Sequence, residues 1–198
     1  ELDLILITHL HGDHIGGLPM LLLHLTYDQA RTRPLYIAGP SNTRKFIECL
    51  WQGTYPSTIK KGLPFEIIYM NWDTSKPIKV CQRQVTSLSA VHDLEAQPHS
   101  LRIHGPEYTL AVSGDTGWQA GLIELSKGVD MFICESTNLV AGYWGHLSIE
   151  ELCKNRASLQ PKQLILSHLS NAARTRAVEL AQEYQWTVAH DGLRLNIT

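Results

Sequence analysis

The segment "THLHGDHIGG" places three histidines and one aspartate within positions 9–14, directly after the apolar run of residues 2–8. An apolar run of that length, ended by a polar loop, is typical of a buried β-strand. Imidazole and carboxylate groups are common ligands of zinc and related ions, so a metal site explains this density better than coincidence does. One loop cannot close such a site, and the chain must therefore fold so that other strand ends supply further ligands.

The spacing within the loop divides its four ligand-type side chains into two pairs. His9 and His11 lie two residues apart, so an extended backbone projects both to the same side, where they can bind one ion. Gly12 allows the chain to bend, after which Asp13 and His14 can face a second ion. The loop therefore predicts ligands for a pair of metal ions.

Hydrophobic periodicity predicts mixed strands and helices along the rest of the chain. Leucines at helical spacing after Gly17 predict a helix, "PLYIAGP" predicts a strand, and residues 66–89 predict strands interrupted by a polar turn. Further strands are predicted at residues 100–103, 110–113, 131–134 and 163–166 and in two short C-terminal pieces, and further helices at residues 41–50, 118–126, 148–156 and 171–184. This order predicts an α/β fold with sheets covered by helices, in a single domain over residues 1–198.

The amino-acid composition indicates a globular protein. The 198 residues are 43% hydrophobic and 18% charged, which suits a globular domain, and the net charge of −2 supplies no overall attraction for polyanions. The four cysteines form no C-x-x-C pair and predict reduced, largely buried thiols, while the five scattered tryptophans are expected to pack without a stacking motif.

No apolar run is long enough for a bilayer and no signal peptide is seen, so we expect a cytoplasmic protein without a membrane partner. Because the chain does not begin with Met and enters a strand almost at once, we also expect sequence upstream of Glu1 to be missing.

Three further apolar runs end in a ligand-type residue. "SLSAVHD" ends at His92, "LAVSGDTG" ends at Asp115 and "LILSHLS" ends at His168. Open sheets gather functional groups at strand ends, so these side chains are candidates to complete the site. His99 is the alternative to His92, and the β run directly before His92 favours His92.

These motifs, in this order across nearly the whole chain, resemble those of the metallo-β-lactamase superfamily of metal-dependent hydrolases. The resemblance implies a four-layer αββα sandwich, here lacking its first N-terminal strands. It also implies a ligand set in which His9, His11 and His92 bind one metal, Asp13, His14 and His168 bind the other, and Asp115 bridges them.

The context of the third histidine, "VHDLEAQPHSLRI", is similar to the ribonuclease Z and phosphodiesterase branch and differs from the thioesterase-like Gly-His-Thr-x-Gly-His context. "PLYIAGP", "MFICEST" and "GHLS" resemble the same branch. In that branch the last two motifs imply a catalytic pair in which Glu135 orients His146 beside the metals. A purely structural hydrogen bond is the alternative for this pair, and Asn171 and Arg174 are open between substrate contact and the start of a solvated helix.

The resulting hypothesis is two-metal hydrolysis of a phosphodiester, small or nucleic acid, in which Asp13 positions the attacking water or accepts its proton. Zinc is favoured by the histidine-rich ligand set, with manganese or iron as alternatives, and a homodimer is left open. Residues 50–84 lack the basic, glycine-rich arm with which ribonuclease Z grips transfer RNA, so efficient processing of transfer RNA is not expected. The rival readings are an ester, thioester or lactone hydrolase with the same site, and a non-catalytic binding or regulatory module stabilised by metal.

Overall fold

The computed structural model describes residues 2–197 and all of their side chains except that of Ile59. Its contacts divide the chain into two compact units. The first unit comprises Glu1–Asp73 with Glu95–Gln97, and the second comprises Thr74–Leu94 with Pro98–Thr198. The expectation of a single domain over residues 1–198 stays a prediction.

The first unit is built on a three-stranded parallel sheet in the order β1-β2-β3. Its strands are β1 (Leu4–Leu6), β2 (Leu35–Gly39) and β3 (Ile67–Asn71), and its helices are α1 (Gly12–Ile15), α2 (Leu18–Tyr27), α3 (Thr43–Thr54) and α4 (Pro56–Lys61). Parallel strands need crossover connections, and the helices supply them.

Helices α2 and α3 each bury one face in the core of the first unit. The periodic residues Leu18, Leu22 and Leu25 of α2 are buried, as are Ile47 and Trp51 of α3. Burying each such aliphatic side chain stabilises the fold by roughly 1.5–3 kcal/mol. The same core packs under the strand that leads into the histidine-rich loop, and so supports that loop from below.

The second unit contains a seven-stranded sheet in the order β10-β9-β8-β7-β6-β5-β4. Its strands are β4 (Ile78–Val80), β5 (Arg83–Ser89), β6 (His99–His104), β7 (Thr109–Val112), β8 (Met131–Glu135), β9 (Gln163–Ser167) and β10 (Thr187–Val188), and its helices are α5 (Gly121–Ser126), α6 (Ile149–Asn155) and α7 (Asn171–Tyr184). Pairing is antiparallel from β4 to β7 and parallel from β7 to β10.

The parallel part of this sheet places several loops at one edge. Val112 pairs with Ile133 and Glu135 pairs with Ser167, so β7, β8 and β9 end close together. The chain leaves each strand on this edge, where an open sheet collects its functional groups. Asp115, Glu135 and His168 therefore come to the same end of the second unit.

The mixed α/β class is confirmed, with several local corrections. The structure has one C-terminal strand, β10, where two were predicted; Ala189 still donates to Leu166 of β9, and the described residues 189–197 form no strand of their own. The helix predicted from residue 118 begins at Gly121, because Gly117 is held in the loop by a backbone bond to Val91. The expected burial of the cysteines was wrong for Cys49, which is exposed; Cys134 is buried. No helix within residues 2–197 is both long enough and apolar enough to cross a membrane.

Candidate metal centre

The histidine-rich loop of the first unit brings its imidazoles into mutual contact. The rings of His9 and His11 lie edge to face with centroids 4.9 Å apart, and the rings of His9 and His14 lie 4.0 Å apart. His14 Nε2 is 3.3 Å from an Asp13 carboxylate oxygen. His9 is buried, His11 and His14 are partly buried, and Asp13 is exposed. The four residues thus form a compact group of ligand-type side chains around a single turn of the chain.

Backbone contacts hold this loop in place. The amide of Ile7 donates to Ala38 of β2, and the carbonyl of Ile7 accepts the indole N–H of Trp72 at 2.7 Å. The amide of Leu10 donates to Ala96. His9 Nδ1 lies 3.1 Å from Thr8 Oγ1, a contact that orients the ring through Nδ1.

In the second unit, Asp115 is the point on which two histidines converge. One carboxylate oxygen of Asp115 lies 3.9 Å from His92 Nε2 and 3.6 Å from His168 Nε2. The Asp115 side chain is only 4% exposed. Two Nε2 atoms facing one buried carboxylate oxygen is the arrangement expected of a carboxylate that can bridge two ions.

A backbone carbonyl orients His92. His92 Nδ1 lies 2.8 Å from the carbonyl oxygen of Gly145, so its Nδ1–H donates there and Nε2 keeps the lone pair. Gly145 has φ +85°, and a Cβ at this position would lie 3.1 Å from His92 Nδ1. Glycine is therefore required both for the backbone conformation and for the close approach to the ring.

His168 is held by Thr137 through both its ring and its backbone. Thr137 Oγ1 lies 2.7 Å from His168 Nδ1 and 2.9 Å from the His168 carbonyl oxygen. His168 has φ +53°, in the left-handed region that non-glycine residues rarely occupy. The contacts of Thr137 support this unusual backbone and aim Nε2 toward Asp115.

Glu135 and His146 form a hydrogen-bonded pair at the same edge. Glu135 is buried at the end of β8, and its Oε1 accepts from His146 Nδ1 at 2.9 Å and from the Thr116 amide at 2.9 Å. Its Oε2 accepts from the amide and hydroxyl of Thr137. A buried carboxylate with so many donors holds the attached imidazole in one tautomer, with its proton on Nδ1.

The position of His146 is also fixed through the chain that follows it. Ser148, two residues after His146, caps α6: its hydroxyl oxygen accepts a hydrogen bond from the Glu151 amide. The Glu151 carboxylate in turn accepts a hydrogen bond from the Ser148 amide. This reciprocal arrangement anchors the start of the helix. The His146 ring stacks on that of His168 with centroids 5.7 Å apart and meets that of His92 edge to face at 4.7 Å.

The donor chemistry of these residues fits a divalent metal. Ligand atoms of Glu135, His146 and His168 lie within 4.8 Å of one another, and each unit presents imidazole nitrogens beside a carboxylate. Burial, followed by the charge of the neighbouring Glu135, raises the pKa of the Cys134 thiol, which favours its protonated form. Neutral imidazoles with carboxylates are typical of zinc, manganese and iron centres.

The structure gives contacts for three other residues considered from the sequence. The Arg174 guanidinium donates to the carbonyl of Ala189 at 2.8 Å, and the backbone carbonyl of Asn171 accepts the Thr175 hydroxyl. His99 is the first residue of β6 and pairs with Ser89, whereas His92 follows the end of β5. The sequence analysis missed the roles of Thr137 and Gly145, although both residues lie within the motifs "MFICEST" and "GHLS" that it singled out.

Comparison with known proteins extends this result. A sequence profile of the beta-lactamase superfamily domain matches residues 1–169. The chain belongs to this superfamily. The prediction of a metallo-β-lactamase superfamily member similar to ribonuclease Z is thereby confirmed.

Individual members of the superfamily resemble the chain at low identity. An uncharacterized protein of Mycobacterium tuberculosis is 29% identical over 176 residues, which are 83% of this chain and 61% of that protein, so the chain spans about three fifths of this relative. A ribonuclease Z of Anoxybacillus flavithermus is 26% identical, with 86% of this chain and 70% of that protein covered. The crystal structure of the short form of human tRNase Z matches with a TM-score of 0.72 at 21% identity, covering 99% of this chain and 79% of that one. A metallo-beta-lactamase fold protein of Bacillus subtilis matches with a TM-score of 0.70 at 20% identity, covering 97% of this chain and 76% of that one, which shows that the chain has this fold.

Proposed function

We propose that this protein is a metal-dependent hydrolase that cleaves phosphodiester bonds. The observation that carries the proposal is the Glu135–His146 pair, which lies at the sheet edge where Asp115 meets two imidazoles. A relative named ribonuclease Z and the fold of tRNase Z support phosphoryl chemistry for the same arrangement. An acid–base imidazole beside a metal-ligand set is suited to a reaction that expels an alkoxide.

The donor set leads us to assign two divalent ions. We assign one ion to His9, His11 and His92 and the other to Asp13, His14 and His168, with Asp115 shared between them. The orientation of His92 by Gly145 and of His168 by Thr137 supports these roles, because each contact leaves Nε2 to ligate. Zinc is the metal this set favours, with manganese and iron as alternatives.

When bound, two such ions supply a hydroxide near neutral pH and neutralise charge on the phosphoryl oxygens. Asp13, the exposed carboxylate of the loop, positions the attacking water and accepts its proton. Asp115 is buried, and one of its carboxylate oxygens faces Nε2 of both His92 and His168.

His146 serves the leaving oxygen. Because Nδ1 donates to Glu135, the proton that moves to the leaving group belongs to Nε2 of the protonated ring. The Glu135 carboxylate stabilises the charged imidazolium and then retains the neutral tautomer after the transfer. The amide of Thr137 donates to Oε2 of Glu135 and keeps this carboxylate in place. The orientation of Glu135 therefore does not depend on its bond to His146 alone.

A small or accessible phosphodiester is the substrate class that fits best. The segment from Leu50 to Gln84 includes the end of α3, α4, β3, β4 and the start of β5, and its cationic residues are four lysines and Arg83. Few phosphate contacts are available from this segment, and the net charge of −2 adds no attraction for a large RNA. Processing of transfer RNA is therefore expected to be inefficient.

The test is a substrate panel on metal-analysed protein. Purified protein loaded with zinc or manganese is assayed on bis(p-nitrophenyl) phosphate, a p-nitrophenyl ester, a thioester, a lactone and a precursor transfer RNA at matched salt. We expect phosphodiester turnover with little trailer removal from the RNA. Preference for the ester, thioester or lactone would replace phosphoryl chemistry, and metal binding without any turnover would support a non-catalytic module.

The variant His146→Ala sharpens the same test. Loss of an acid–base group typically lowers kcat by about 10²- to 10⁴-fold. We expect that loss with unchanged metal content measured by elemental analysis. The control is His190→Ala, which alters a histidine outside the site whose Nδ1 lies 2.9 Å from the Asp191 carbonyl. Loss of metal in His146→Ala would instead make His146 a ligand and overturn its assignment.

A further inference from the structure

The loop of residues 138–147, between β8 and α6, exposes an unusual number of large apolar side chains. Leu139, Val140, Tyr143 and Trp144 are 40%, 49%, 64% and 70% exposed. Single exposed apolar residues are common, but a group within six positions marks an interaction surface. We call residues 138–147 the aromatic loop.

Trp144 differs from the other four tryptophans of the chain. Trp51 and Trp186 are buried, and Trp72 and Trp118 are partly buried, whereas Trp144 is the one tryptophan classed as exposed in the described chain. The sequence predicts core or surface packing for the five tryptophans, and Trp144 is the most exposed of them. An indole left in water costs hydrophobic free energy that packing would recover, so its exposure favours a ligand over packing.

Hydrogen bonds close the base of the aromatic loop. The amide of Asn138 donates to Leu147 at 3.0 Å, and the amide of Ile149 donates back to Asn138 at 2.9 Å. The amide of Ala141 donates to the carboxylate of Glu150 at 2.9 Å. The loop is therefore fixed to the start of α6, and its aromatic side chains stand on an ordered backbone.

The far end of the aromatic loop is tied to the candidate site. Gly145, the residue after Trp144, accepts the Nδ1–H of His92 at 2.8 Å, and His146 follows with its bond to Glu135. Trp144 is thus one peptide bond from a group that orients a proposed metal ligand. The aromatic loop contains no Lys, Arg, Asp or Glu, so it offers aromatic and apolar contact and no charge for phosphate.

We propose that Trp144, assisted by Tyr143, stacks on the base of a nucleotidyl phosphodiester while the adjacent centre engages the phosphate. This inference rests on the proposed function. Aromatic side chains bind bases through their faces with little dependence on which base is present, and each stack contributes substantially to binding. The protein would then prefer phosphodiesters that carry a nucleobase over those that carry only a sugar or an alkyl group.

The experiment compares three substrates with one leaving group. Zinc-loaded protein is assayed on thymidine 5′-p-nitrophenyl phosphate, on the matching abasic deoxyribose ester and on methyl p-nitrophenyl phosphate. The ratio of kcat/KM for the thymidine ester to that for the abasic ester isolates the base. We expect Trp144→Ala to lower this ratio by about 5- to 150-fold, the loss of one base–aromatic stack, and Trp144→Phe to retain most of it.

A matched control and a binding readout complete the design. Tyr27→Ala removes an aromatic side chain that is 61% exposed in the first unit, and we expect the ratio to stay unchanged. Binding of thymidine 5′-monophosphate is measured by calorimetry with and without zinc, and should weaken in Trp144→Ala. Because this readout needs no turnover, it tests the aromatic loop even if the phosphodiesterase proposal fails.

Three outcomes would overturn the inference. The first is an unchanged substrate ratio and unchanged nucleotide binding in Trp144→Ala. The second is an equal loss in Tyr27→Ala, which would show a general effect of removing surface aromatic groups. The third is dissociation of a dimer in Trp144→Ala, measured by sedimentation, without a change in the ratio, which would make the aromatic loop an interface between two copies. Absence of turnover on all three esters would contradict the proposed function and leave the calorimetric result to decide on the loop.

Discussion

The two units present their ligand-type side chains in different ways. In the first unit, four ligand-type side chains come from positions 9–14 of one loop, and their geometry is set by a single bend. In the second unit, His92, Asp115 and His168 come from separate strand ends and meet only because the sheet has the right order and register. The first set is local in sequence and the second is a product of tertiary structure.

This difference has a physical consequence for what holds each set in place. In the second unit the three histidines of the candidate site each contact a supporting residue: Gly145 for His92, Thr137 for His168 and Glu135 for His146. Side chains that come from distant positions in the sequence need such supports, because the orientation of one side chain does not constrain that of another. The second unit should therefore be more sensitive to changes in residues that touch no metal.

The largest effect is expected from Asp115→Ala. This carboxylate faces both His92 and His168, so we expect loss of both ions and turnover reduced to background. Asp13→Ala, in the local loop, should remove no more than one ion. The measurements are the metal content per chain, by elemental analysis, and the phosphodiesterase rate. Retention of both ions in Asp115→Ala would refute a bridging role.

A second effect concerns Thr137, which touches His168 and Glu135. Thr137→Val removes the hydroxyl with little change in shape, and loss of such a support typically costs about 10- to 100-fold in metal affinity or activity. Thr137→Ser keeps the hydroxyl and should behave like the native protein. Zinc affinity by competition with a chelating dye is the measurement, and equal affinities for the valine and serine variants would contradict the orienting role.

Gly145→Ala should have a smaller effect, on stability and on His92 together. A residue with a Cβ at φ +85° costs about 1–2 kcal/mol, and the new atom would press on His92 Nδ1. Gly142→Ala is a matched control, because it has φ +104° in the same loop with no atom near its Cβ. Both variants should lower Tm, but only Gly145→Ala should also weaken zinc binding.

The sequence predicted the local features of the fold well. The helix of residues 171–184 was predicted with the bounds that the structure has, and strand β9 within one residue, because periodicity and end signals there agree. Helix α4 was not predicted, since "PSTIKK" has too few apolar positions to show a period. The second predicted C-terminal strand does not form, because a local pattern does not reveal whether a neighbouring strand is there to pair with it.

The candidate site was predictable in its members and not in its supports. Histidines and aspartates at strand ends can be found by position, and the family resemblance assigned them to ions. The role of Thr137 depends on the pairing of β8 with β9, which brings the residues after Glu135 beside those after Ser167. The role of Gly145 depends on contact with a residue more than fifty positions away, so neither could be read from the local pattern.

The left-handed backbone of His168 means that the residue best suited to the fold at this position differs from the residue needed to bind a metal ion. A residue with a side chain in this conformation costs about 1–2 kcal/mol, and glycine would relieve that cost while losing roughly 0.5–1 kcal/mol to chain entropy. His168→Gly should therefore fold with a Tm equal to or slightly above that of the native chain while giving up an ion. Selection for thermal stability alone would thus tolerate or favour the loss of this ligand, and only a requirement for the bound metal would retain the histidine.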